Sequence, residues 1–110
     1  MLTEQQSPAS TLEPVGPAAC RELTVLRGRA RSARATIALV ELSTDGGRTW
    51  EETTLTGANE PSAGVEWEHP WRPATAGSHR LLTRATDSAG RVEAPGEGAP
   101  VPVGPAALAG

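Results

Sequence analysis

The stretch Ser43-Thr44-Asp45-Gly46-Gly47-Arg48-Thr49-Trp50 constrains this chain more than any other. Gly46 and Gly47 accept the backbone angles of a reversal, because glycine enters the positive-φ region without steric penalty. Asp45 offers a carboxylate to the backbone N–H groups of the turn that follows it, as Asp does in Asx-turns. Trp50 can fold back over the hairpin and cover its apolar face. On either side lie β-type segments. Residues 35–44 are β-branched and aliphatic, with Ala38, Val40 and Leu42 predicted on one face and Glu41 and Ser43 on the other. Residues 49–55 return as the partner strand.

The same period extends along the chain. Residues 23–26 read as a short strand closed by Gly28. Residues 59–62 read as a loop. Residues 65–71 read as a strand whose Pro70 fits only an edge or a strand end. Residues 78–86 alternate, with Leu81, Thr83 and Ala85 on one face and Arg80, Leu82 and Arg84 on the other. Asp87 and Gly90 then bracket a turn, and residues 91–93 read as a last short strand. Six or so short strands with regular turn signals predict an all-β protein built as a β-sandwich.

Composition limits how large that sandwich can be. The chain has 110 residues, and 18 of its apolar residues are alanine; Leu, Val and Ile together number 18, and Phe is absent. One domain with a thin core is possible and two are not. Three segments follow. Residues 1–20, with Pro8, Pro14 and Pro17, read as a flexible leader. Residues 21–94 are the folded domain. Residues 95–110 are half Pro and Gly and read as a loosely packed tail.

Charge and special residues exclude several functions. A net charge of -3, with ten Arg, eleven Glu and no Lys, argues against nucleic acid as a partner. A single cysteine, Cys20, cannot form an intramolecular disulfide or a thiolate cluster. His69 and His79 lack a second ligand at metal-site spacing. No apolar run reaches the ~18 residues of a membrane span. No signal peptide is visible, so the default expectation is a cytoplasmic protein.

Two motifs in order carry a resemblance. The first is Val40-Glu41-x-Ser43-x-Asp45-Gly46-Gly47-x-Thr49-Trp50. After Trp67, Trp71 and Gly77 comes the second, Arg84-Ala85-x-Asp87-x-x-Gly90. Gly28-x-Ala30 precedes both. Over residues 22–94 the chain resembles the C-terminal dimerisation domain of molybdenum-cofactor oxidoreductases of the sulfite oxidase family. The resemblance implies an immunoglobulin-like fold, a homodimer or a molybdopterin-binding catalytic domain as partner, and no catalytic residue, metal or cofactor on this chain itself. The family's molybdopterin-binding domain, with its cysteine ligand to molybdenum, has no counterpart here, and Cys20 does not match that ligand's surroundings. The residues after Val92 also depart from the family pattern. The Ser-x-Asp-x-Gly-x-x-Trp spacing fits, too, the Asp-box hairpin of sialidases, but it occurs once and 110 residues cannot build a propeller.

Two function classes remain open. One is a non-catalytic dimerisation module of a molybdenum oxidoreductase. The alternative is a free-standing immunoglobulin-like protein-binding module, because fold does not fix function. For either, Leu82 with Ile37 or Leu39 is predicted to form an exposed apolar stripe, a candidate interface. Tail residues Val101, Val103 and Leu108 are the competing cover for that stripe.

Overall fold

The computed structural model describes residues 7–106, and every regular element in them is a strand. The elements are β1 (Ala9–Leu12), β2 (Ala18–Ala19), β3 (Thr24–Arg31), β4 (Ile37–Ser43), β5 (Glu51–Glu52), β6 (Thr54–Glu60), β7 (Gly64–Trp71), β8 (Gly77–Asp87) and β9 (Ala99–Gly104). They form two sheets, β1-β3-β7-β6 and β2-β9-β8-β4-β5, antiparallel throughout except for the β2–β9 pair. The two sheets pack face to face as an immunoglobulin-like β-sandwich.

Alternation explains which residues face the core. Along β3, Leu26, Gly28 and Ala30 are buried while Val25, Arg27, Arg29 and Arg31 are exposed. The core is built from Leu26, Ile37, Val40, Leu42, Val65, Trp67, Trp71, Leu81, Val101 and Val103, with the small residues Ala30 and Ala85 among them. Trp67 supplies much of the bulk that the missing phenylalanines do not, and its indole N–H donates to the Thr11 carbonyl at 3.2 Å. Gly28 does not close a strand, as its sequence position suggests; it sits mid-strand under Trp67. A Cβ there would meet the Trp67 ring at 2.7 Å and collide with the Thr11 carbonyl.

The tails are where sequence and structure part most. β1, β2 and β9 lie in the predicted leader and tail, so the folded unit extends from residue 9 to residue 104. In β9, Val101 and Val103 are 5% and 4% exposed, and the prolines take the alternate, outward positions. β2 pairs only with Val103 and Gly104, so β9 is an edge at Pro100 and Pro102, where proline is tolerated. Residues 1–6 and 107–110, with Leu108, lie outside the described residues. Two smaller corrections concern the other ends. Asn59 and Glu60 belong to β6 rather than to a loop, and residues 91–93 make a single bridge, Thr86↔Val92, rather than a strand.

Side chains join the two sheets along both open flanks. On one flank the chain leaves β5 at Thr53, whose N–H and hydroxyl both donate to the Val40 carbonyl at 2.9 Å, and enters the other sheet as β6. The Asn59 amide then bonds the Ile37 backbone twice: its nitrogen donates to the carbonyl at 2.7 Å, and its oxygen accepts the N–H at 3.0 Å. On the other flank the Glu93 carboxylate accepts from the Ser10 N–H, the Ser10 hydroxyl and the Ala85 N–H.

Candidate functional site

The Ser43–Trp50 segment connects β4 to β5, which pair through Glu41↔Glu52 and Leu42↔Glu51. Its conformation is set by two side chains. Buried Ser43 accepts the Gly47 N–H at 2.8 Å and donates to Asp45 Oδ1 at 2.8 Å. Asp45 also accepts the Thr49 hydroxyl at 2.6 Å and the N–H groups of Thr49 and Arg48 at 2.9 and 3.0 Å. The Thr49 hydroxyl, the Thr49 amide and the Ser43 hydroxyl hold this carboxyl down at about 2. Gly46 and Gly47 have φ of 76° and 95°, and the Gly46 N–H reaches across to the Arg80 carbonyl on β8 at 3.0 Å.

Trp50 and Arg84 come from the two separate motifs, and the fold stacks them. The Arg84 guanidinium lies 4.0 Å from the centre of the Trp50 ring. Glu41 and Arg84 are directly opposite in the β4–β8 register, and their side chains pair at 2.9 Å. Their side chains are 23% and 27% exposed, so this is a half-buried Glu41–Arg84–Trp50 stack on the outer face of the second sheet. Ala85, the next residue, points inward and is fully buried opposite Val40.

Asp87 organises the following turn. Its Oδ1 accepts the N–H groups of Ala89 and Arg91, and its Oδ2 accepts the Ser32 hydroxyl and Arg91 Nε, all at 2.9 to 3.0 Å. Gly90 closes the turn by donating to the Asp87 carbonyl. Burial pushes the Asp87 carboxyl up, but the Arg91 amide, the Ser32 hydroxyl and the Arg91 charge outweigh it and hold it below the usual range. Both motif aspartates are thus ionised acceptors, Asp45 engaged by donors of its own hairpin and Asp87 by its own turn and by Ser32.

The fold is shared with the sulfane dehydrogenase SoxCD from Paracoccus pantotrophus. The likeness has a TM-score of 0.70 and 25% sequence identity, and it covers 80% of this chain but only 23% of that one. The chain therefore spans less than a quarter of the SoxCD chain that it matches. No family model matches the chain, and no curated protein matches it.

The predicted apolar stripe is absent from the surface. A register shift between Ile37 and Leu39 turns Ile37 inward, where it is 2% exposed and part of the core, and leaves Ala38 exposed. Leu82 keeps its outward direction but is only 8% exposed, because the turn at Gly98 lies against it. Leu39 alone remains partly exposed. The tail does cover Leu82, but through Gly98; Val101 and Val103 go to the core instead.

Cys20 is half-buried and packed against the core. Among the described residues no three His, Cys, Asp or Glu side chains gather as a metal site. His69 pairs with Glu51 at 2.9 Å, and His79 bonds the Thr75 carbonyl at 2.8 Å with its ring edge-on to Trp71. No helix of the described residues is long and apolar enough to cross a membrane. Sequence reasoning missed Thr53, Asn59, Ser10 and Glu93, which join the sheets. Their only signal is a polar residue in a β-type segment, and that does not name its partner.

Proposed function

We propose that this chain is a non-catalytic association domain of the kind carried by molybdenum-cofactor oxidoreductases of the sulfite oxidase family. It pairs with a second copy or docks on a molybdopterin-binding catalytic domain, and it binds no cofactor itself. The observation that carries this reading is the likeness to SoxCD, which takes in most of this chain and less than a quarter of that one. The two motifs support it: they meet in one Glu41–Arg84–Trp50 stack and one Asp87-centred turn, both of which serve the fold. Neither aspartate is poised for acid–base chemistry, because Asp45 is held ionised by its own turn, and Asp87 by its turn together with the Ser32 hydroxyl.

The test is purification of the tagged chain from its source, with identification of what accompanies it and measurement of molybdenum. The expected result is a second copy of the chain or a molybdopterin-binding protein, with molybdenum present only when that protein is. Stoichiometric molybdenum on the chain alone, or sulfite turnover by it, overturns the reading.

A further inference from the structure

Association requires a surface, and the sheet edges are poor ones. One flank of the sandwich is closed by Thr53 and Asn59, and the other by Ser10 and Glu93. The open stretch of β9 carries Pro100 and Pro102, which have no N–H to offer an added strand. The outer face of the second sheet carries the Asp45 hairpin, with Trp50 laid on Arg84. The outer face of the first sheet is different. β3 and β7 pair there in unbroken register from Thr24↔Trp71 to Ala30↔Val65. β3 presents Arg27, Arg29 and Arg31 outward, and β7 presents Glu66 and Glu68 beside them. Arg29 reaches Glu66 at 3.0 Å and Arg27 reaches Glu68 at 3.7 Å, with these four side chains 44% to 66% exposed. At one end Val25, 39% exposed, lies opposite exposed Pro70. The face thus has a positive stripe, a negative stripe and an apolar end.

From this arrangement we infer that the outer face of the first sheet is a homodimer interface, with its two-fold axis along the β3 and β7 direction. The inference rests on the association reading above and names the surface that carries it. Rotation about that axis exchanges the stripes. Arg27 of one copy then lies over Glu68 of the other, Arg29 over Glu66, and Val25 over Pro70. A two-fold axis across the strands sets Arg over Arg and Glu over Glu instead, so charge selects one operator. The contact is self-complementary, as a two-fold interface must be, and it is the aligned packing that twisted sheets favour. Exposed pairs of this kind contribute little within one chain. Between two copies, shielded from water, each Arg can bridge carboxylates of both chains.

The test uses two full-length variants, Arg27→Glu/Arg29→Glu and Glu66→Arg/Glu68→Arg. In the first, both stripes are negative; in the second, both are positive. Each alone loses the dimer that wild type forms, and an equal mixture recovers it as a heterodimer, read by sedimentation and native mass. Raising the ionic strength to about 1 M, where the Debye length is ~3 Å, weakens the wild-type dimer. Circular dichroism and melting establish that each variant is folded; a variant that unfolds is replaced by the single exchange, Arg29→Glu against Glu66→Arg. If wild type and both variants are all dimeric, this face is wrong while self-association stands. A monomeric wild type removes the face and leaves only docking on a partner domain. Folded variants whose mixture stays monomeric also overturn the inference.

Discussion

Asp45 accepts four hydrogen bonds from donors between Ser43 and Thr49, and that makes the hairpin sensitive to acid. Its carboxyl titrates at about 2 in the fold, against 3.8 ordinarily. The folded value is the lower one, so the unfolded chain takes up the proton first as pH falls. The stabilisation is complete above roughly pH 4 and disappears toward pH 2. Asp45→Asn is therefore expected to melt several degrees below wild type at neutral pH, and the gap should close between these values. A gap that stays constant with pH contradicts the assigned role. Gly47 has a different constraint, its φ of 95°. Gly47→Val is expected to cost about 1–3 kcal/mol from backbone strain, measurable by denaturant unfolding.

At the scale of elements, the central strands were legible and the peripheral ones were not. Val40 and Leu42 on β4, and Leu81 and Ala85 on β8, alternate as half-buried strands must, and they point into the core. Of the two alternatives for the outer stripe, Leu39 keeps some exposure and Ile37 turns inward, because a register shift inserts a residue without any mark in the hydrophobic pattern. The prolines and glycines of β9 signal a mobile tail by composition, whereas alternate Pro and Val suit the edge strand that they form. The candidate site was legible as a set of residues, since the two motifs do gather at β4 and β8. Its geometry was not, because the Trp50–Arg84 stack depends on a pairing between distant strands. Two experiments belong here. Deleting residues 96–110 removes β9 and uncovers the core at Val101 and Val103; each buried valine is worth roughly 1.5–3 kcal/mol. Against a total of ~5–15 kcal/mol, the truncated chain is expected to aggregate or to lose its cooperative unfolding. A truncated chain as stable as full length refutes the place given to β9. Gly28→Ala is expected to cost about 1–3 kcal/mol or more, since its methyl meets the Trp67 ring and the Thr11 carbonyl. The Trp fluorescence should shift with it.

For the whole molecule, the thin core and the closed flanks bear on one question. Few large apolar groups line the interior, so the domain has little stability to spare, and a partner that binds only the folded form adds to it by mass action. The proposed role of this chain is association, with the chemistry left to a partner. Sedimentation equilibrium of the purified full-length chain, from low micromolar to tens of micromolar, tests it most directly. The expected result is a species of twice the chain mass that dissociates on dilution, with a melting temperature that rises with concentration. A chain that stays monomeric and stable across that range, and that yields no molybdopterin-binding partner from its source, contradicts it.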